Sequence, residues 1–266
     1  MIGGPRVRRD LPLGDPVDIA RRAAALEAPV LVACDVDGTL SEIAPTPAEA
    51  RLEAGALAAL RAVTARDIAV LVVSGRSVGE LRHQFGLHTA AAPGRSAGLL
   101  LIGSHGAEID GELTLDPVEA ARLASVRNHL EGLAAPVVGA LVEVKPCAIA
   151  LHVRQVEPPA DARLLAMVVE RYAREASVTL LEGKQVIEVA VRQVTKRSVI
   201  EQIRGLLRPT SVLFAGDDAS DEAVFESLGP RDLAVRVGSG ETCADCRLAV
   251  PADLVRMLDE FAVLWA

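Results

Sequence analysis

Two aspartates stand two residues apart at the end of an apolar run in the segment VACDVDGTLSEI, residues 32–43. In an extended strand that leaves a buried sheet, Asp35 and Asp37 would lie close together. Two like charges about 4 Å apart repel by roughly 4 kcal/mol at an effective dielectric constant of about 20. A bound cation is the simplest group that offsets this repulsion, so the pair predicts a metal site.

Three further segments place reactive groups after an apolar run or at the start of a helix. They are Ser74-Gly75-Arg76 after VLVV, Lys196 in VTKRSVIEQI, and Gly216–Glu222 after VLF. Each segment taken singly has an ordinary structural explanation, because Asp-Gly forms turns, serine and aspartate cap helices, and lysine is usually solvated. Open α/β sheets, however, bind ligands at the carboxyl ends of their strands. Together the segments therefore predict one catalytic site.

The residue types in these segments suit phosphoryl transfer. A carboxylate with a pKa near the ordinary value of about 3.9 is ionised at neutral pH, so Asp35 can attack phosphorus. A divalent ion held by Asp35, the Asp37 backbone and Asp217 would offset the repulsion of the phosphate dianion, and all-oxygen ligands favour Mg²⁺. Asp37 would protonate the leaving alkoxide and then activate water. The groups predicted to bind the remaining phosphate oxygens are Lys196, Thr39 and Ser74.

The elements that must position these groups alternate along the chain. Continuous apolar runs, typical of strands buried on both faces, alternate with helical segments. The predicted strands are APVLVACDV, DIAVLVVSGR, GLLLIGSHG, SVLFAGDD and DLAVRVG, and helices are predicted over residues 51–66, from Ser77 and from about Ala252. This alternation predicts an α/β fold with a Rossmann-like three-layer core built on a parallel sheet. An N-terminal extension, residues 1–29, contains a predicted helix from Pro16.

The middle of the chain alternates apolar and polar residues, as in strands with one buried face. The alternating segments are GALVEVKPCAIALHVRQV, SVTLLEG and KQVIEVAV, and helices are predicted over about residues 118–134 and 161–175. These elements predict a smaller α+β unit. The polar residues of its open face are Glu143, Lys145, His152, Arg154, Lys184 and Glu188. This mixture of acids and bases suits a polyhydroxylated ligand, although a solvated sheet face has the same pattern.

Composition narrows the classes of function. The 266 residues carry a net charge of −8, and this acidic balance argues against a nucleic-acid or anionic-membrane surface. No apolar run reaches the roughly 18 residues of a spanning helix, and the N-terminus lacks the apolar stretch of a signal peptide, so we expect a soluble cytoplasmic protein.

The four cysteines fit this expectation. Cys34 and Cys147 lie in strand-like runs, so we expect them to be buried thiols. Cys243 and Cys246 form a lone C-x-x-C without the second pair that a zinc site needs.

The order of these motifs resembles that of the haloacid dehalogenase superfamily of aspartyl-phosphate phosphatases. The resemblance covers nearly the whole chain from about residue 30. It implies that Asp35 is the nucleophile and that Asp37 is the general acid and base.

The same resemblance implies a cap domain in the second insertion position. The interval between Leu40 and Ser74 is too short for a large cap, whereas the interval between Arg76 and Lys196 accommodates the α+β unit. The expected domains are a catalytic core of residues 1–114 and 194–266 and a cap of residues 115–193.

Within this superfamily, the sequence resembles the trehalose-6-phosphate phosphatases. The matching segments are DVDGTLSEI, VVSGR, GSHGAE, VEVKPCAIALHVR, GKQVIEV and GDDASDE. The resemblance implies a Mg²⁺-dependent enzyme that hydrolyses trehalose 6-phosphate through an aspartyl-phosphate in trehalose biosynthesis. It also implies a small-molecule sugar phosphate as the partner, no nucleic acid or membrane, and a functional link to trehalose-6-phosphate synthase.

The resemblance also implies roles for individual residues. The implied phosphate-binding residues are Thr39, Ser74, Gly75, Arg76 and Lys196. The implied metal ligands are Asp35, Asp37 and Asp217, with Asp218 and Asp221 in the layer around them. The implied sugar-binding residues of the cap are Glu143, Lys145, Arg154, Lys184 and Glu188. His105 lies in the matching GSHG motif, and its role stays open between a site residue and a residue that structures the loop.

The sequence departs from the family pattern at four places. Val36 stands where the family usually has an aromatic residue, Arg197 where it has glycine, and Ser220 where it has threonine, and the proline that often follows the GK…E strand is absent. None of these changes removes a group that the chemistry needs, and Arg197 is the one that would alter the phosphate site or a hinge.

Two other functions remain open from the sequence. A phosphatase of another sugar phosphate, such as sucrose 6-phosphate, would share the core and differ in the cap. A non-catalytic domain that senses sugar phosphates would have lost a core carboxylate or the lysine, and all of these groups are present.

Overall fold

We describe a computed structural model of the chain, which covers residues 7, 9–44, 49–87, 99–109, 115–145, 147–176, 178–183, 185–192 and 194–265. The chain divides into two compact units, Met1–Gly111 with Thr195–Ala266, and Glu112–Val194. The first contains the continuous apolar strands, and the second contains the alternating segments.

A seven-stranded sheet forms the centre of the first unit. Its strands, numbered in chain order, are Val30–Cys34 (β1), Ala69–Val73 (β2), Leu99–Gly103 (β3), Glu108–Ile109 (β4), Ser211–Gly216 (β9), Leu233–Val237 (β10) and Cys246–Leu248 (β11). The strand order is β11-β10-β9-β1-β2-β3-β4. Every neighbouring pair is parallel except β3 with β4. The predicted parallel sheet is confirmed.

Helices cover both faces of this sheet. They are Pro16–Ala24 (α1), Ala56–Thr64 (α2), Val78–Gln84 (α3), Lys196–Leu207 (α6), Ala219–Ser227 (α7) and Pro251–Leu264 (α8). On one face, Val32 and Cys34 of β1 join an apolar cluster with residues of α1, α2 and α8. On the other, Phe214 of β9 packs edge-on against Phe225 of α7, with ring centroids 5.7 Å apart. The α/β prediction is therefore confirmed, including the N-terminal helix.

The sheet brings the predicted motifs to one edge because the strand order reverses at β1. The strand β2 lies on one side of β1 and β9 lies on the other, and ligands of open α/β sheets bind at such a reversal. Asp35 follows β1 directly, and its backbone N–H donates to the carbonyl of Ala215 in β9 at 2.9 Å. Asp217 follows β9, and Ser74 follows β2.

The second unit is a four-stranded antiparallel sheet covered by two helices on one face. The strands are Leu141–Val144 (β5), Ala148–His152 (β6), Thr179–Gly183 (β7) and Val186–Ala190 (β8), in the order β5-β6-β8-β7, and the helices are Pro117–Ala134 (α4) and Pro159–Ala176 (α5). Ile149 and Val189 pack toward the helices in an apolar cluster. On the other face, the strand register aligns Glu143 with Ala150 and Ala150 with Glu188 in one row. This arrangement agrees with the predicted alternation.

Several local details differ from the sequence expectations. The strand β11 was not predicted, because three residues at a sheet edge are too few to show a period. The segment AEIDGELTL predicts a hairpin turn at residues 110–111, which lie outside the described residues, and β4 is the strand that precedes this position. The helix predicted over residues 51–66 starts only at Ala56, after Gly55 in the left-handed conformation. All four cysteines are buried, and none of them forms a disulfide. Within the described ranges, no helix is both long enough and apolar enough to span a bilayer.

Asp232 connects α6, the helix that begins with Lys196, to the start of β9 through hydrogen bonds. Its buried carboxylate accepts hydrogen bonds from Arg204 at 2.7 and 3.1 Å, from the Val212 N–H at 2.8 Å and from the Gly229 N–H at 2.7 Å. Alanine at this position would leave buried donors without a partner, so we expect the free energy of unfolding to fall by about 3 kcal/mol in urea denaturation.

Asp18→Ala is the matched control for Asp232→Ala. Asp18 pairs with Arg21 on an exposed helix surface, where such a pair contributes about 0–1 kcal/mol. Equal stabilities of the two variants would show that Asp232 is not an anchor of α6.

Candidate active site

A buried ion pair between Lys196 and Asp35 forms the centre of the site. The Lys196 Nζ lies 2.9 Å from Asp35 Oδ1, 2.8 Å from Asp221 Oδ1 and 3.8 Å from Asp218 Oδ1. Lys196 and Asp35 are each 3% exposed, so neither charge is solvated. Isolated buried charges are strongly unfavourable, and each of these groups therefore depends on the other.

The surroundings shift the pKa of both partners. Burial raises the pKa of Asp35 to about 7, while the charge of Asp217 adds to this effect and Lys196 opposes it. The ordinary pKa of about 3.9 that the sequence suggested for Asp35 is therefore wrong at this buried position. Burial alone would lower the pKa of Lys196, but the charges of Asp35, Asp221 and Asp218 raise it above its ordinary value. The lysine therefore stays charged at neutral pH, and its charge favours the ionised form of Asp35 that a nucleophile needs.

Three carboxylates form a cluster of oxygen atoms beside the lysine. One oxygen each from Asp35, Asp217 and Asp221 lies within 4.8 Å of the others. Burial raises the pKa of Asp217, and the charges of Asp221 and Asp218 raise it further. These all-oxygen donors are of the type that hard divalent cations prefer. A divalent cation would favour the ionised form of these clustered carboxylates, so the residues fit such an ion.

Asp221 and Asp218 are held by donors of the protein itself. Asp221 Oδ2 accepts from the backbone N–H groups of Asp217 and Asp218 at 3.0 and 3.1 Å, while its Oδ1 accepts from Lys196. Asp218 caps α7 and accepts from the Ser220 N–H and Oγ at 2.8 and 2.7 Å. Burial opposes ionisation of Asp218, but the charge of Lys196 and these hydrogen bonds lower its pKa to about 2.

Two glycines let the carboxylates lie against the backbone, a role that was not predicted from the sequence. A Cβ on Gly38, whose φ is +89°, would overlap the Asp217 carboxylate, and a Cβ on Gly216 would overlap the Asp221 carboxylate. Their place in the sequence could have indicated this role, because each glycine directly adjoins a predicted aspartate at a strand end.

Two residues predicted to bind phosphate hold carboxylates in this structure. The buried Thr39 hydroxyl donates to Asp217 Oδ1 at 3.1 Å. The Arg76 guanidinium grips both oxygens of Asp37, with Nε–Oδ2 and Nη2–Oδ1 distances of 2.6 Å. Ser74 Oγ accepts from the Arg76 N–H at 3.1 Å and keeps its own proton for donation. The assignment of these residues to phosphate stays a prediction.

The structure shows the surroundings of His105 and Arg197, two residues whose roles the sequence left open. The His105 ring lies directly over Gly75, since a Cβ there would come within 2.7 Å of the ring Cε1. Arg197 turns along the exposed surface of α6, where its Nε donates to Glu201 at 2.8 Å.

The predicted sugar-binding residues of the second unit are paired on its open sheet face. Lys145 Nζ lies 2.5 Å from Glu188 Oε2, and this pair crosses β6, whose residues between them include Ala150. His152 Nε2 lies 2.7 Å from Glu143 Oε2. The Arg154 Nε donates to Gln185 at 3.2 Å. Lys184 lies outside the described residues.

Comparison with known proteins identifies the family. The sequence profile of the trehalose-phosphatase family matches residues 33–249, which include every predicted site residue. The chain belongs to the trehalose-phosphatase family. The resemblance to this family that the sequence motifs indicated is therefore confirmed.

Individual relatives of the family agree over most of the chain. The trehalose-6-phosphate phosphatase of Escherichia coli is 34% identical over 236 residues, 85% of this chain and 84% of the relative. A Mycobacterium tuberculosis protein described as an uncharacterized glycosyl hydrolase is 30% identical over 247 residues, but this chain spans only 18% of its length. A crystal structure of a trehalose-6-phosphate phosphatase related protein superposes with a TM-score of 0.69 at 28% identity, covering 88% of this chain and 97% of the other.

The buried acidic cluster is expected to destabilise the metal-free fold. Asp217→Asn removes one like charge while keeping the size of the side chain, so we expect the free energy of unfolding in EDTA at neutral pH to rise by about 1 kcal/mol. Scanning calorimetry measures this, with Asp259→Asn on the exposed surface of α8 as the control. A lower stability of Asp217→Asn than of the control would contradict the electrostatic account of the cluster.

Proposed function

We propose that this protein is a Mg²⁺-dependent phosphatase that hydrolyses trehalose 6-phosphate to trehalose and phosphate in trehalose biosynthesis. The observation that carries the proposal is the meeting of Asp35, Lys196 and Asp217 at one sheet edge. Membership in the trehalose-phosphatase family supports the substrate. A non-catalytic sensor is not favoured, because every core carboxylate and the lysine are retained.

The chain's own residues account for both halves of the reaction. Asp35 attacks phosphorus, and Lys196 offsets the negative charge that this approach brings together. Asp37 donates a proton to the sugar oxygen as its bond to phosphorus breaks, so that trehalose leaves as an alcohol. Asp37 then takes a proton from the water that hydrolyses the aspartyl-phosphate, which releases phosphate, frees the Asp35 carboxylate and returns Asp37 to the protonated form in which it began.

Asp35 and Asp217 are the carboxylates that would hold Mg²⁺, with the Asp37 backbone as the third predicted ligand. Asp221 and Asp218 would support them, since their oxygens already accept from Lys196 and from backbone N–H groups. When bound, the ion would neutralise phosphate charge and polarise the phosphoryl oxygens.

The open face of the second unit would recognise the sugar hydroxyls. Glu143 and Glu188 each use Oε2 for an intramolecular partner, and among the described residues their Oε1 atoms have no hydrogen-bond partner. These oxygens can therefore accept from ligand hydroxyls. Arg154 and Lys184 are proposed to add donors. A cytoplasmic location and a functional link to trehalose-6-phosphate synthase stay predictions.

The first test measures phosphate release from trehalose 6-phosphate, glucose 6-phosphate and sucrose 6-phosphate, with Mg²⁺ and with EDTA. We expect Mg²⁺-dependent preference for trehalose 6-phosphate, and we expect Asp35→Asn to lower kcat by at least about 1,000-fold without loss of thermal stability. Equal rates on all sugars would remove the substrate, and an active Asp35→Asn variant would remove the nucleophile.

The second test separates sugar recognition from the chemistry. Glu143→Ala or Glu188→Ala should raise KM for trehalose 6-phosphate by about tenfold or more, because each removes a charge-assisted hydrogen bond. KM for 4-nitrophenyl phosphate, which carries no sugar, should stay within about twofold. Glu131→Ala, which breaks an exposed pair with Arg127 on α4, is the control. Equal changes for both substrates would refute the assignment of this face.

A further inference from the structure

A turn after β3 holds two consecutive residues in an unfavourable backbone conformation. Ser104 has a φ of +50° and His105 a φ of +57°. The left-handed region is unfavourable for residues other than glycine, and such residues persist only where their surroundings fix them. Neither residue is assigned a role in the chemistry above.

The strained turn grips the backbone of the Ser74–Arg76 loop. The Ser104 N–H donates to the Arg76 carbonyl at 2.7 Å, and the His105 N–H donates to the Ser74 carbonyl at 2.9 Å. The His105 ring covers Gly75 between these two bonds. The two left-handed residues thus present two successive N–H groups to this loop.

The gripped loop in turn aims Arg76 at Asp37. The guanidinium is planar, and both of its bonds to the Asp37 carboxylate are 2.6 Å long. A bidentate pair of this kind fixes orientation as well as distance. A displacement of the Arg76 backbone would therefore move or release the Asp37 carboxylate.

Glu108 on β4 holds the turn through a hydrogen bond from Ser104. Its carboxylate is buried, with the residue 6% exposed, and it accepts from Ser104 Oγ at 2.5 Å and from the Val78 N–H at 3.2 Å. One carboxylate thus joins the turn to the first residue of α3. The strand pairing of Gly103 with Glu108 sets this carboxylate beside the turn.

We propose that Ser104 and Glu108 are positioning residues, which hold Arg76 and through it orient the Asp37 carboxyl group for proton transfer to the leaving group. The proton is carried by an Asp37 oxygen that Arg76 has released, because a carboxylate held at both oxygens by a guanidinium has no proton to give. The inference rests on the proposed role of Asp37 as general acid. General acid catalysis contributes typically about 10²- to 10⁴-fold, and it matters most when the leaving group is strongly basic. Loss of positioning should therefore lower rates selectively for poor leaving groups, whereas loss of structure lowers all rates together.

The experiment compares phenyl phosphate, which has the more basic leaving group, with 4-nitrophenyl phosphate. Neither ester carries a sugar, and kcat/KM reports only the steps up to departure of the leaving group. For Glu108→Gln and Ser104→Ala we expect kcat/KM for phenyl phosphate to fall by about tenfold or more, and that for 4-nitrophenyl phosphate to stay within about threefold. Glu131→Gln is the control, because it makes the same substitution at an exposed pair with Arg127 on α4.

Asp37→Asn in the same assay separates this inference from the proposed function. If Asp37→Asn affects both esters equally, the role of Asp37 is wrong and the inference falls with it. If Asp37→Asn is selective while Glu108→Gln and Ser104→Ala are not, the inference alone is overturned. Ser104→Ala removes a single hydrogen bond, so it decides the question even if Glu108→Gln does not fold.

Discussion

The buried ammonium of Lys196 is the constraint on which the rest of the site depends. Its positive charge lies within 4 Å of carboxylate oxygens of Asp35, Asp221 and Asp218, and without it the buried carboxylates of Asp35 and Asp221 would lie together with no compensating charge. Its position requires the start of α6 to lie beside the carboxyl ends of β1 and β9. A divalent cation would offset part of the negative charge that the lysine alone leaves in the site.

Glycines and short-range hydrogen bonds hold the carboxylates of the site in defined positions. Gly38 and Gly216 let carboxylates approach the backbone more closely than any side chain would allow. Asp218 begins α7 and orients Ser220 at the same time, so one residue serves both the helix and the site. The helix cap and the carboxylate cluster therefore both favour the same residues at these strand ends.

The sequence predicted the parts of this structure that depend on pattern and order. Continuous apolar runs identified the parallel strands, and the motifs that follow β1 and β9 identified Asp35 and Asp217, because parallel strands bring their carboxyl ends to one edge. The pairing of Arg76 with Asp37, of Thr39 with Asp217, and of Glu108 with Ser104 was not predicted. Such contacts depend on side-chain direction after folding, and they leave no period in the sequence.

The most direct test of the account is to identify the residue that becomes phosphorylated. Trehalose 6-phosphate with a radioactive phosphate would be mixed with the enzyme and Mg²⁺, quenched in acid within milliseconds, and the protein digested and mapped. The account predicts an acid-stable, alkali-labile label on the peptide that contains Asp35, formed before free phosphate appears. Release of phosphate without any protein-bound label, or a label on another residue, would contradict it.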